Sequence, residues 1–124
     1  MSETTQDVGQ RGEAFAATHL EQAGYRIEAK NWRQTGLGEI DIVARDGNEI
    51  VFVEVRTRRG PLRAAIEQAV ASVDAQKQAR LLQLAQAYLA AHDLAETPWR
   101  IDVVAVSYAD NRFAVQVIRD AATW

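Results

Sequence analysis

The chain has 124 residues, of which 48% are hydrophobic and 25% charged, with a formal net charge of -3. This length suits one domain over residues 1–124, with residues 1–6 as a flexible N-terminus. The sequence has no cysteine and two histidines, which excludes disulfides, thiolate sites and zinc clusters, so any bound metal is expected to be a hard, oxygen-ligated ion.

Hydropathy and charge bear on the expected partners. No apolar segment is long enough for a signal peptide or a bilayer span, which predicts a cytoplasmic protein with no membrane partner. The acidic balance argues against a nucleic-acid partner, but a cation bound by several acids would offset much of it. Four arginines also fall within residues 56–63 without an acid, although the simplest explanation of such a run is a solvated turn.

The first predicted element is a helix over residues 7–22. Asp7 is the expected N-cap, and Gly24 is the expected C-terminal stop. Between them, apolar residues recur at helical spacing: Phe15, Ala16, Leu20 and Ala23. The helix is therefore expected to pack this stripe into the core.

Strands are expected to follow the helix. A weak alternation over residues 25–30 predicts an edge strand, and residues 31–38 are expected to form a loop because they contain two glycines. Residues 39–45 and 49–57 are rich in β-branched residues and are joined by Asp46-Gly47-Asn48, the strongest hairpin signal in the sequence. The sequence therefore predicts an antiparallel pair at the centre of the fold.

The second half of the chain alternates between helices and strands. A short helix is expected at residues 64–73 and an amphipathic helix at 74–91, followed by strands at 99–107 and 113–118 around a turn at 109–111. Because a helix precedes the strand at 99–107, this strand is expected to lie parallel to one of the earlier three. The pattern predicts an α/β fold in which a three-stranded antiparallel meander and further strands form a mixed central sheet flanked by helices.

Two carboxylates interrupt the apolar strands of the hairpin. Because side chains alternate along a strand, Asp41 and Glu54 fall on one face if the turn has an even number of residues. Their Cβ atoms would then lie about 5 Å apart if paired, or about 7 to 8 Å if diagonal, so that both acids reach one magnesium ion. The alternative is an exposed face on which both acids are solvated or paired. Val43 and Phe52 on the same face favour a covered site, where two like charges need a counter-ion.

The segments around the two acids form motifs. Gly38-Glu39-Ile40-Asp41, followed by Phe52-Val53-Glu54-Val55-Arg56-Thr57-Arg58, resembles the YraN family of small bacterial proteins. That family is related to archaeal Holliday-junction resolvases within the PD-(D/E)xK nuclease superfamily. The resemblance covers residues 9 to 118 approximately, and its further matches are Gly12-Glu13-Ala14, Ala17, Gly24-Tyr25-Arg26-Ile27, Asn31-Trp32-Arg33, Lys77-Gln78, Leu81, Tyr88-Leu89 and Arg100-Ile101-Asp102-Val103-Val104-Ala105.

The resemblance implies a restriction-endonuclease-like, PD-(D/E)xK core. It also implies that Asp41 and Glu54 bind a metal together with the backbone carbonyl of Val55, and that Glu13 supplies an extra acid. The implied ion is magnesium, with manganese as the alternative. Glu13 has a second explanation, because the helix dipole favours an acid in the first turn of a helix.

Arg56 departs from the superfamily pattern, which usually has lysine at this position. Because a guanidinium cannot lose a proton in a protein, Arg56 can position water or neutralise phosphate charge but cannot act as a base. Activation of the nucleophile would then depend on the metal. Lys77 is a candidate substitute, although a solvated position on its helix is the simpler expectation.

The predicted function is that of a metal-dependent endonuclease acting on DNA, with branched DNA as a candidate substrate. The residues expected to be catalytic are Glu13, Asp41, Glu54 and Arg56. The cations expected to contact phosphates are Arg33, Arg58, Arg59, Arg63 and Lys77. Two alternatives stay open, a nucleic-acid-binding module of the same fold that has lost cleavage and an interaction domain with no nucleic-acid role. A homodimer fits the resemblance to resolvases, although no pattern in the sequence requires one.

Overall fold

A five-stranded mixed sheet carries the fold in the computed structural model, which describes residues 4–121. The helices and strands of this part of the chain are α1 (Thr5–Gln22), β1 (Arg26–Gln34), β2 (Gly38–Asp46), β3 (Glu49–Arg59), α2 (Leu62–Ser72), α3 (Ala75–Ala91), β4 (Trp99–Ala109) and β5 (Arg112–Ile118). The strands are ordered β1-β2-β3-β4-β5, and β4 runs parallel to β3 while the other neighbours are antiparallel. The predicted α/β class, the antiparallel meander and the parallel strand after the helices are confirmed.

Both faces of the sheet are covered, which explains why its central strands are nearly continuous apolar runs. Side chains alternate along β3 and β4, so each of these strands contributes residues to two hydrophobic clusters, one on each face of the sheet. One cluster lies beneath α2 and α3 and includes Phe52, Ile101, Leu84 and Tyr88. The other lies beneath α1 and includes Val53, Val104, Ala16 and Leu20. Within residues 4–121, no helix combines the length and hydropathy that a bilayer span requires.

The start of α1 differs from the sequence prediction. Thr4, and not Asp7, is the N-cap: the Asp7 amide donates to Oγ1 of Thr4 at 3.0 Å, and the Thr4 amide donates back to Oδ2 of Asp7 at 3.2 Å. This reciprocal capping box satisfies two amides that a helix start leaves without partners. Of the six residues predicted to form a flexible N-terminus, Thr4 is this cap, Thr5 and Gln6 open the helix, and residues 1–3 lie outside the described part of the chain.

The predicted loop at residues 31–38 is wrong over half its length. β1 continues to Gln34 because its backbone pairs with β2, with Trp32 opposite Ile40 and Arg33 opposite Glu39. Trp32 also packs against the cluster beneath α3. Tertiary pairing therefore outweighs the loop prediction at residues 31–34 and 38, and only residues 35–37, around Gly36, form the turn.

The central hairpin has the predicted even loop. Gly47 and Asn48 lie between the paired residues Asp46 and Glu49, and Gly47 has a φ of 61°, as the first residue of a two-residue hairpin turn requires. The register runs from this pair to Ile42 opposite Val53. Asp41 and Glu54 are the residues that directly follow this last pair, at the point where the two strands stop pairing.

Gly12 marks the closest approach of α1 to the sheet. A Cβ atom at this position would lie 2.6 Å from Cγ2 of Thr57 and closer still to Oγ1. A Cβ at Gly9, one turn earlier in the same helix, would meet nothing within 4 Å. The packing of α1 on β3 therefore depends on the missing side chain at residue 12 and not at residue 9.

We expect Gly12→Ala to destabilise the protein by about 1 to 3 kcal/mol, because overpacking outweighs the gain of about 1 kcal/mol in helix propensity. Gly9→Ala, the matched control, should stabilise it by about 0.5 to 1 kcal/mol. Urea unfolding measures both, and adding Thr57→Ala to Gly12→Ala should recover most of the loss. Equal stability of the two alanine variants would show that the contact is wrong.

Candidate active site

A cleft of about 860 Å³ lies between α1 and the sheet, beside the ends of β1, β2 and β3. Its walls include Glu13 of α1, Asp41 of β2, and Val55 and Arg56 of β3. Glu13, the residue after Gly12, borders the cleft, and its side chain forms a hydrogen bond with Asn31 of β1. Three of the four residues predicted to be catalytic thus border one cavity.

Asp41 lies where the β2–β3 ladder ends. Its Oδ2 accepts a hydrogen bond of 2.8 Å from the backbone amide of Val55. The last paired residues of the two strands are Ile42 and Val53, so Val55 lies beyond the paired region. The side-chain alternation of β2 also changes here, because Ile40 joins the cluster beneath α3 whereas Ile42 joins the cluster beneath α1. The carboxylate therefore replaces a strand carbonyl as the partner of β3.

Asn31 of β1 contributes to the same irregularity. It lies between the paired positions of Lys30 with Ile42 and of Trp32 with Ile40, and its φ of 52° is in the left-handed region. Asparagine adopts this conformation more readily than other residues that have a Cβ atom. The Asn31 side chain forms a hydrogen bond that lowers the pKa of Glu13, although burial is the larger effect and raises it. A left-handed residue thus links β1 to the acid on α1.

Glu54 is the buried member of the acid pair. Its side chain is 8% exposed, and its Oε1 lies 3.4 Å from a guanidinium nitrogen of Arg56 and 3.3 Å from Nζ of Lys77. Arg56 lies two residues further along the same face of β3, and Lys77 lies in the first turn of α3. Asp74 caps that helix and accepts from the Lys77 amide at 2.8 Å, which fixes the backbone of the residue that carries the ammonium group.

Lys77 corrects the simpler expectation from the sequence. Its side chain is 23% exposed and in contact with Glu54, so it is not a solvated helix residue. Arg56 has a different distinction: within residues 4–121, its Nε is buried and has no hydrogen-bond acceptor. Buried donors normally have partners, so an oxygen atom placed beside this nitrogen would supply the hydrogen bond that it lacks.

The surroundings of Asp41 raise its proton affinity. Its pKa is raised to about 7, first by burial and then by the charges of Glu54, Glu13 and Glu39, while the hydrogen bond from Val55 opposes the shift. A divalent cation would remove the repulsion that these charges cause. The charges around Asp41 therefore favour the approach of a cation over that of an anion.

The donor set can be compared with the needs of particular ions. Among the described residues, no three His, Cys, Asp or Glu side chains are grouped closely enough to hold a metal by themselves. Magnesium does not need such a cage, because it is usually bound through one or two carboxylates and keeps several waters. Asp41, Glu54 and the Val55 carbonyl supply oxygen donors of this kind, so the residues fit magnesium better than an ion that needs a full protein cage.

The arginines predicted to contact phosphates are not brought to one place. Arg33 borders the cleft and forms an ion pair with Glu39 at 2.8 Å. Arg58 and Arg59 end β3 with side chains on opposite faces, and Arg63 lies on α2 at 3.6 Å from Glu67. The segment 56–63 therefore contains the end of β3 and the start of α2. It does not form a uniform basic surface, and it is not the solvated turn that the sequence most simply suggested.

Lys30 and Asn31 also border the cleft and were not among the residues predicted for the site. Both belong to β1, which was expected to end at residue 30 and in fact continues to Gln34. The left-handed backbone of Asn31 comes from pairing on both sides of it, which no local pattern reports. Its presence in the motif Asn31-Trp32-Arg33 was the only signal available.

Comparison with known proteins gives one consistent result. Residues 12–106 match the profile of a family described as "Uncharacterised protein family UPF0102". The chain is 54% identical over 103 residues to a UPF0102 protein of Roseiflexus castenholzii, covering 81% of this chain and 78% of the relative. It is 49% identical over 123 residues to a UPF0102 protein of Moorella thermoacetica, covering 98% and 99%. A UPF0102 protein of Chloroflexus aurantiacus is 50% identical over 106 residues, with 85% and 82% covered.

We expect Asp41→Asn to raise the melting temperature of the metal-free protein at pH 8 by several degrees, and by less at pH 5. Folding raises the pKa of Asp41 from 3.8 to about 7, so the wild type loses stability as the pH rises between these values. Asparagine is uncharged and keeps an acceptor for the Val55 amide. Thermal melts in EDTA across this range measure the difference.

Glu21→Gln, which removes an exposed carboxylate from α1, is the control and should melt like the wild type at both pH values. If Asp41→Asn melts below the wild type throughout, the carboxylate stabilises the fold and is not under electrostatic strain.

Proposed function

We propose, for a chain that belongs to the uncharacterised protein family UPF0102, that it binds DNA and hydrolyses phosphodiester bonds in the cleft beside α1, using a divalent metal. The YraN family that its motifs resemble is this same family, whose name states no activity. The observation that carries the proposal is the accumulation of Asp41, Glu54 and Glu13 at one strand end, where burial first and then the neighbouring carboxylates raise the pKa of Asp41 to about 7. The restriction-endonuclease-like core is part of the proposal, supported by the order of the elements and the placement of this pair.

Asp41 and Glu54 would hold the metal, with the backbone carbonyl of Val55 as a further donor. When bound, the metal lowers the pKa of a coordinated water and polarises a phosphoryl oxygen. Glu13 borders the same cleft from α1, where its carboxylate adds to the negative charge that attracts the ion. Hydrolysis itself joins the water oxygen to phosphorus and breaks the bond to one sugar oxygen, which leaves with a proton.

Arg56 and Lys77 together would fill the roles that a single lysine usually has in the nuclease superfamily that the motifs resemble. Both contact the same oxygen of Glu54, so both cations are positioned beside the acid pair. Arg56 stabilises the negative charge that develops on phosphate, and a phosphate oxygen bound beside it would give its buried Nε an acceptor. Lys77 orients the attacking water, and an ammonium group, unlike a guanidinium, can also give up a proton.

Cations at the rim of the cleft would hold the DNA backbone. Lys30 and Arg33 border the cleft on β1, on the side away from Arg56. Phosphate contacts of this kind set the register of the DNA without reading its sequence. Arg58, Arg59 and Arg63 do not border the cleft, so their contribution to binding is expected to be smaller.

A nucleic-acid-binding module without cleavage is the second candidate. One observation favours it: in the metal-free protein, Oε1 of Glu54 already has two cationic partners, which reduces its need for a metal. Arginine at residue 56 fits the same reading, because it removes the usual candidate base. Cleavage assays separate this candidate from the first.

We expect magnesium-dependent scission of nicked or branched DNA by the wild type, abolished by Asp41→Asn. Lys77→Gln should lower the rate about 100-fold or more, the usual contribution of a positioned proton-transfer group. Arg80→Gln, which removes an exposed cation one turn further along α3, is the matched control and should cut at close to the wild-type rate. Gel assays under single-turnover conditions measure these rates.

Retention of DNA without scission in magnesium and in manganese would reject the nuclease and leave the binding module. Equal loss in Lys77→Gln and Arg80→Gln would reject a specific role for Lys77 and indicate a general charge effect.

We expect magnesium to raise the melting temperature of the wild type and to leave Asp41→Asn unchanged. A ligand that binds the folded state at 100 times its Kd adds about 2.7 kcal/mol of stability. Titration calorimetry provides a second measurement of the same binding. A shift of equal size in both proteins would show that the ion binds elsewhere.

A further inference from the structure

Gly9 lies inside α1 without a packing reason for a glycine. In the interior of a helix, glycine destabilises the folded state relative to alanine, so its presence there needs an explanation. Gly12, about one turn later, has one, because a Cβ atom there would lie 2.6 Å from Cγ2 of Thr57. A Cβ atom at Gly9 would meet no atom within 4 Å. Close packing therefore explains the second glycine of α1 and not the first.

Backbone conformation does not require a glycine at residue 9 either. Five other glycines of the described chain have a positive φ, and Gly9 does not. It lies in regular helix, a conformation that every residue except proline adopts readily. The explanation that is left is the space outside the helix.

That space is the cleft. Gly9 borders it together with Gln6, Gln10 and Glu13 of the same helix. Gln6 is three residues before Gly9 and Glu13 is four residues after it, and residues three and four apart are neighbours on one helix face. The side of α1 that faces the cleft thus has two amides and a carboxylate around a position that has no side chain.

Charge is distributed unevenly between the walls of the cleft. Lys30 and Arg33 of β1 and Arg56 of β3 supply the cations. Among the described residues of α1, Glu13 is the one charged residue that borders the cleft. A phosphate backbone that lies along these cations and against the first turns of α1 would therefore meet uncharged amides, and it would approach a carboxylate only at Glu13.

We infer that Gly9 keeps the cleft open for the sugar–phosphate backbone of a DNA strand, which lies against α1 between the amides of Gln6 and Gln10. This inference rests on the proposed function, because it takes DNA as the molecule that enters the cleft. Glycine allows another backbone to approach closely, and glutamine amides donate hydrogen bonds to phosphate oxygens. Gly9 thus determines whether a DNA strand can reach the acids, although it touches none of them itself.

The test fills the space at residue 9. Fluorescence anisotropy in EDTA measures the binding of labelled nicked or branched DNA without cleavage. We expect Gly9→Ala to weaken binding about twofold and Gly9→Leu to weaken it roughly tenfold or more, because the larger side chain occupies the volume of the strand. Gln10→Ala should weaken binding roughly two- to fivefold through the loss of one hydrogen bond.

Thr18→Leu is the matched control. Thr18 is exposed, does not border the cleft and lies about two and a half turns after Gly9, which places it on the opposite side of α1. This variant should bind DNA like the wild type. Alanine and leucine both favour the helix over glycine, so both Gly9 variants should melt at or above the wild-type temperature, which separates blocked binding from unfolding. In titration calorimetry, Gly9→Leu should bind magnesium like the wild type.

Binding of DNA by Gly9→Leu at the wild-type affinity would overturn the inference and leave the proposed function standing. An equal loss in Thr18→Leu would also overturn it, and so would a loss confined to one of two unrelated DNA sequences, because backbone contacts do not read sequence. Binding that depends on residue 9 in a wild type that neither binds magnesium nor cleaves DNA would keep the inference and reject the nuclease. A wild type that binds no DNA would reject both.

Discussion

The hydrogen bond from the Val55 amide to the Asp41 carboxylate is the contact on which the candidate site depends. An interior strand such as β3 normally gives its amides to the carbonyls of its neighbour. Here a side chain accepts one of them, at 2.8 Å, at the point where β2 and β3 stop pairing. The sheet stays connected through this bond while a charged group enters a region that would otherwise be apolar. This one hydrogen bond thus both connects β3 to β2 and fixes the position of the Asp41 carboxylate.

Cations from separate elements balance the charge that this arrangement creates. Glu54 is nearly buried and contacts Arg56 on its own strand and Lys77 on α3. Asp41 accepts a hydrogen bond from the Val55 amide, and its pKa is raised to about 7, first by burial and then by the charge of Glu54. The two acids are therefore neighbours with different partners, two cations for Glu54 and a backbone amide for Asp41. Because the pKa of Asp41 is raised, its protonation responds to a cation that reaches the cleft.

Much of the fold follows from local patterns in the sequence. The Asp46-Gly47-Asn48 signal predicted both the hairpin and its even loop, whose register brings Asp41 and Glu54 to the same end of the paired region. Other features depend on tertiary contacts that no pattern shows. β1 continues through residues 31–34 because β2 pairs with it, and Lys77 reaches Glu54 because α3 crosses the sheet at that point. The capping box of Thr4 was visible in the sequence, but Asp7 at its far end was taken for the cap.

The contact of Lys77 with Glu54 has a consequence for the time at which the site forms during synthesis. A ribosome releases α1 and the three strands of the meander before it releases α3, so both acids and Arg56 leave it before Lys77 does. Of the two cations that contact Glu54, only Arg56 belongs to the meander. The set of charged groups is therefore complete only after α3 has been synthesised and has packed on the sheet.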